Sequence, residues 1–195
     1  VSAVLDLDAR LFVLVNQVWT SAFLDAVMPV VTDFDHWRIP VILLLLVLLA
    51  RGGTDLRLGI LFAVLAVIVA DQISSAGIKG VVERPRPFDA IVGTRKLVDA
   101  YGFAFPSSHA ANTFAAGTFL ALRFRRSWPV LALPLVVSYS RIYVGVHWPL
   151  DVVAGAGLGV AVGLAAAGVE RAARLRLTDW FARRREKGRW AAKDR

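Results

Sequence analysis

The chain has 195 residues, of which 57% are hydrophobic, and its mean hydropathy is +0.59. That is too apolar for an ordinary water-soluble domain. Lys and Arg outnumber Asp and Glu by 23 to 15, and the absence of cysteine excludes disulfides and thiolate metal sites. The apolar residues fall in blocks: VILLLLVLLA fills 41–50, LGILFAVLAVIVA fills 58–70 and VVAGAGLGVAVGLAAAGV fills 152–169. With their flanks, such runs cross about 30 Å of hydrocarbon as helices. The expected fold is therefore all-α, a polytopic membrane helix bundle of about six segments.

In chain order, the first segment covers about 8–30. It contains Asn16, Gln17 and Asp25, and reads as an amphipathic or partly spanning helix. No basic stretch precedes it, so no cleavable signal is expected. The second covers 37–50, with Pro40 suited to a helix start. The third covers 56–79. The fourth covers 108–124 and opens at the serines after Pro106. The fifth covers 128–146, with Pro134 expected to kink it. The sixth covers 150–170, and its Gly and Ala content predicts close helix contact. Residues 1–170 are expected to form one membrane-embedded domain, and 171–195 a basic tail.

The tail holds ten Arg/Lys against three Asp/Glu, and the turns RGGTDLR (51–57) and RFRR (123–126) are basic too. All three share one side if helices two to six each cross once, and the positive-inside rule makes that side cytoplasmic. A bacterial inner membrane with the opposite side facing the periplasm is the expected setting. Both termini are then cytoplasmic, unless a re-entrant first segment puts the amino terminus outside. This charge sits beside apolar helices, so orientation and anionic headgroups explain it better than nucleic acid does.

The same topology gathers Lys79, Ser107, Ser108, His109, Arg141, His147 and Asp151 at the non-cytoplasmic end, with Arg84 and Arg86 in the loop beyond Lys79. Taken singly, each has a plain structural role: a snorkelling lysine, headgroup-contacting arginines, a serine cap, a His–Asp bond. Taken together they describe a buried polar site. Fixed guanidinium and ammonium groups suit an anion with several oxygens, and helix-start amides add donors. A histidine oriented by a carboxylate can act as nucleophile, and a second histidine as acid. The chain has three histidines, none at close ligand spacing, so neither a metal nor another cofactor is expected.

These residues resemble the three motifs of the type 2 phosphatidic acid phosphatase superfamily. They are KGVVERPRP (Lys79 to Pro87, with Arg86 as the matching arginine), PSSH (106–109) and SRIYVGVHWPLD (140–151). The resemblance implies that Lys79, Arg86, Arg141, Ser107 and the amide of Ser108 hold phosphate. It implies that His147 attacks phosphorus, oriented by Asp151, and that His109 protonates the leaving group. Ser108 stands where the family commonly has glycine, which matters only if that position needs positive φ. The expected activity is metal-independent dephosphorylation of a membrane lipid phosphate or diphosphate through a phosphohistidine. Undecaprenyl diphosphate is the first substrate expectation. Lipid A 1-phosphate, phosphatidic acid and phosphatidylglycerol phosphate are alternatives, as is lipid phosphotransfer. A transporter or scaffold, a metal-dependent hydrolase and a haloperoxidase fit the residues less well. Residues 88–105, with Arg95 and Lys96, are expected to rim the lipid entrance.

Overall fold

The computed structural model describes residues 2–124 and 127–193, with side chains as far as Arg176. Every regular element among them is helical. The helices are α1 (Ser2–Val13), α2 (Ala22–Thr32), α3 (Phe34–Arg51), α4 (Thr54–Gln72), α5 (Lys79–Val82), α6 (Pro87–Ala90), α7 (Ser108–Arg123), α8 (Ala132–Tyr143) and α9 (Pro149–Lys193). Two segments, Thr54–Ala90 and Pro149–Arg176, are long and apolar enough to cross a membrane unaided; a bent α1–α2 pair makes a third if counted as one span. α3 buries no residue, and Ile42, Leu43, Leu44 and Leu46 are about half exposed. Such a surface suits contact with lipid.

The first expected helix is broken. α1 runs into a single π-helical turn, Leu14–Val18, and α2 then leaves at 116°. Ser21 restarts the chain as N-cap, its Oγ accepting from the Leu24 amide. Both arms touch the same end of the bundle: Phe12 packs on Trp148, Asn16 donates to the Tyr143 carbonyl, and Thr32 accepts from Arg141. The first segment is therefore bent and not a straight crossing.

Two proline expectations are corrected. α3 begins at Phe34, capped by Asp33, so Pro40 lies inside the helix and does not start it. Pro134 falls in the first turn of α8, after a 3₁₀ turn at Trp128–Leu131, where its missing N–H breaks no intrahelical bond. It therefore causes no mid-helix kink. α8 also ends at Tyr143, which leaves His147 in a loop.

α7 is the central helix, packed on α4, α8 and α9. Gly155, Gly159 and Gly163 lie four apart on α9. A Cβ on each would run into the carbonyl oxygens of Ser107, Ala111 and Ala115, also four apart. Backbone thus lies on backbone, the small-residue packing available where no hydrophobic force joins helices. Ala66 and Ala70 of α4 close the same core. At the end of α7 away from Ser108, Arg123 pairs with Glu170 of α9 at 3.0 Å and with Asp55 of α4. The basic turns and the start of the basic segment therefore share the end opposite Ser108. The boundary placed at 171 has no break in the backbone, because α9 continues to Lys193; side chains after Arg176 lie outside the described residues.

Candidate active site

Three local structures position the site. The first is the start of α7. Ser107 is its N-cap, and its Oγ lies 3.5 Å from the Ala110 amide. The amides of Ser108 and His109 are in the first turn and have no intrahelical acceptor. Ser108 is the first helical residue, and among the described residues only Glu83 is a non-glycine with positive φ. A serine therefore fits where glycine is common, and its amide keeps its direction. Its hydroxyl turns away, 3.0 Å from both Ser74 and Ser75.

The second is the turn between α8 and α9. Gly145, at φ 83°, reverses the chain against the Arg95 carbonyl, where a Cβ has no room. Pro149 opens α9 at its first position. Asp151 follows two residues later and reaches back, Oδ2 accepting from the Trp148 amide at 2.9 Å. The Asp151 carbonyl accepts the Ser107 amide at 2.9 Å, which binds the two helix starts together. His147 is 1% exposed, with Nδ1 3.4 Å from Asp151 Oδ2. This is a close contact and not a formed hydrogen bond, for Nδ1 has no partner among the described residues. Catalytic hydrogen bonds are often this loose before substrate binds.

The third is the segment after α4. A π-helical turn at Ile73–Ile78 re-aims the chain, so Lys79 Nζ donates to the Phe103 carbonyl at 3.3 Å. Arg86, 4% exposed, donates to the carbonyls of Gly102, Val146, Tyr101 and Phe103. Four of its five N–H groups are thus committed to backbone. Arg86 fastens the loop at 101–103 to the strand of chain entering His147, and brings its charge and one N–H to the site. Arg141 differs. It is 6% exposed, gives one bond to Thr32 Oγ1 at 2.7 Å, and its Nε has no partner among the described residues. A buried guanidinium held this way has donors left for an anion.

The charges converge. Lys79, Arg86 and Arg141 all act on His109 and on His147. Burial holds the pKa of His147 well below the usual histidine range, and Arg141, Arg86 and Lys79 add to this against a smaller opposing effect of the Ala104 backbone. The ring is neutral at neutral pH and keeps a lone pair.

Sequence reasoning missed several neighbours. Arg84, expected at headgroups, bridges Asp151 at 2.8 Å and Asp8 at 2.5 Å. The doubled Arg-Pro in ERPRP was the only available signal. Asp8, 2% exposed, and Thr32, 3% exposed, come from the bent α1–α2 pair. Arg95, expected at the lipid entrance, is held by Asp25, with both contacts at 2.6 Å, and stacks over Tyr143. Lys96 covers the ring of Phe88. Val92 and Tyr101 are the most exposed of that loop's large apolar side chains.

Known proteins are similar to this chain in sequence and fold. A sequence model of the PAP2 superfamily matches residues 59–174. The chain is 33% identical over 164 residues to a lipid A 4'-phosphatase of Bacteroides thetaiotaomicron, covering 79% of this chain and 72% of that protein. It is 29% identical over 144 residues to the undecaprenyl-diphosphatase BcrC of Bacillus subtilis, covering 73% of each. Among solved structures, Aquifex aeolicus LpxE aligns at TM-score 0.66 and 25% identity, over 82% of this chain and 94% of that one. A transmembrane PAP2 type phosphatidylglycerolphosphate phosphatase of Bacillus subtilis shares the fold at TM-score 0.69 and 22% identity, over 88% of each. Helical architecture, the motif-bearing segment from 79 to 151 and this match agree: the chain belongs to the PAP2 superfamily, as a membrane lipid phosphate phosphatase.

Proposed function

We propose that the protein removes phosphate from a membrane lipid through a phosphohistidine on His147, at the outer face of the membrane and without a metal. The observation that carries this reading is the convergence of Lys79, Arg86 and Arg141 on a neutral, buried His147 beside Asp151. With Nδ1 turned to Asp151, Nε2 attacks phosphorus. The P–O bond to the leaving group breaks as P–N forms, and His109 gives its proton to the departing oxygen. Water then attacks the phosphohistidine, His109 takes the water proton, and phosphate leaves as P–N breaks. The three cations and the amides at the start of α7 stabilise the equatorial oxygens.

Undecaprenyl diphosphate is the first substrate reading, supported by the likeness to BcrC. A lipid A phosphate is the second, favoured by the 33% identity to a lipid A 4'-phosphatase. A phosphate-release panel in detergent separates them, with undecaprenyl diphosphate, lipid A, phosphatidic acid and phosphatidylglycerol phosphate side by side. The highest kcat/KM on the polyprenyl diphosphate supports the first reading, and on lipid A the second. Equal turnover of glucose 6-phosphate counts against a lipid entrance.

A further inference from the structure

The His147–Asp151 pair is built into a longer row of charges that starts in a helix outside the family match at 59–174. Asp151 has both carboxylate oxygens engaged. Oδ1 accepts from Arg84 Nη1 at 2.8 Å, and Oδ2 accepts from the Trp148 amide while facing His147. The other arm of the guanidinium, Nη2, donates to Asp8 Oδ2 at 2.5 Å, and Asp8 Oδ1 accepts the Leu150 amide at 2.8 Å. Arg84 also lies 5.0 Å over the Trp148 ring, whose Nε1 donates to the Pro85 carbonyl. The side chains of Asp8 and Asp151 are 1% and 0% exposed, so this is a fixed, desolvated row of minus, plus and minus.

We propose that Arg84 and Asp8 are positioning residues of the reaction, Arg84 by fixing the Asp151 carboxylate against His147 and Asp8 by offsetting the charge Arg84 brings. The proposal rests on His147 being the nucleophile. Arg84 alone would close Asp151 into a neutral pair and weaken its support of the positive charge that the His147 ring gains when Nε2 bonds phosphorus. Asp8 returns the row to one net negative charge. Besides Asp151, the groups facing His147 are Arg141 of α8, Lys79 and Arg86 from the segment after α4, and His109 of α7. Those stay in place when the row is altered.

The row has a signature that packing lacks, because its two outer members have opposite charge. The test is the pH profile of kcat/KM for Arg84→Gln, Asp8→Asn, the double variant and Arg84→Lys, each in detergent on phosphatidic acid, with acid-quench trapping of labelled phosphohistidine. The substrate's own titration is common to all. Arg84→Gln removes a positive charge and should move the acid limb up, and Asp8→Asn should move it down, each by roughly half a unit or more. The double variant should return it toward wild type. kcat should fall on the order of 10-fold to 100-fold in the single variants while KM changes little, as for losses of an orienting partner. Arg84→Lys keeps the charge and loses the fork, so it should keep the limb and lose rate. If Arg84→Gln does not fold, Asp8→Asn against Arg84→Lys still carries the contrast. Limbs that coincide, or single variants that shift the same way, overturn the proposal. A wild-type protein labelled on His147 with unmoved variants rejects the row alone, whereas a wild-type protein without phosphohistidine rejects the site reading beneath it.

Discussion

A single buried charge is expensive, and each one here differs in how that cost is met. Arg86 meets it with four carbonyls, Arg84 with two carboxylates, and Arg141 with one threonine. The difference predicts opposite phenotypes. Arg86→Ala strands several carbonyls and should destabilise the protein by roughly 3 kcal/mol or more, seen as a lower Tm in detergent. Arg141→Gln removes a buried charge with no ion-pair partner among the described residues, so Tm should hold or rise while kcat/KM collapses. Equal Tm losses in both would mean that Arg141 is also structural. The two histidines divide in the same manner. His147→Ala should form no phosphoenzyme on any substrate. His109→Ala keeps the nucleophile, so its defect should shrink on p-nitrophenyl phosphate, whose leaving group needs no proton. The pH dependence follows from His147. The active form is unprotonated, and burial together with nearby cations depresses its pKa. Activity should therefore persist as pH falls through about 6.5, the ordinary histidine value. An enzyme acid limb, with activity lost as pH falls, centred at or above that value in kcat/KM would contradict a buried, neutral nucleophile.

Among the elements, α7 and α9 decide the geometry, since each starts at the site and their first turns are joined by the Ser107–Asp151 bond. Their contact depends on Gly155, Gly159 and Gly163. Gly159→Leu puts a side chain where Phe114 Cβ and the Ala115 amide already lie within 3 Å of a Cβ. It should cost about 1–3 kcal/mol or more as overpacking, and shift Asp151 enough to lower kcat. Gly157, which a Cβ would leave without contacts, should tolerate alanine with an unchanged Tm. Equal effects at both positions would mean that α9 does not sit flush on α7. These helices were legible in the sequence, because long apolar runs and glycines at spacing four have few other readings. The start of α7 at Ser108 was legible too, through Pro106 and the serines. The first segment was not. Its Asn16 and Asp25 look like part of an amphipathic face, yet they, and Thr32 just beyond, each bond to a residue 70 or more positions away. Periodicity carries no information about such partners. The site's motif residues were legible by type and order, whereas Arg84 was not, because its partner Asp8 lies in that illegible segment.

At the scale of the molecule, charge and polarity are sorted to opposite ends. The basic turn at 51–57, the end of α7 and Arg174 of α9 meet through Asp55 and Glu170, while every motif residue lies at the other end. If the basic end is cytoplasmic, phosphate is released outside. A re-entrant α1–α2 pair would then lie on the outer side as well, because Asp8 and Thr32 both reach the site. The absence of cysteine makes this directly testable, since any introduced thiol is unique. Val92→Cys sits on a fully exposed loop position at the site end, Val4→Cys on the exposed face of α1, and Gly53→Cys in the exposed turn between α3 and α4. An impermeant thiol reagent should label positions 92 and 4 in intact cells, and position 53 only after lysis. Labelling of 53 alone in intact cells would invert the orientation and place phosphate release in the cytoplasm. Labelling of 92 without 4, with 4 appearing on lysis, would keep the site outside but make the first segment a true crossing, and the Asp8–Arg84 contact could not then exist in the membrane.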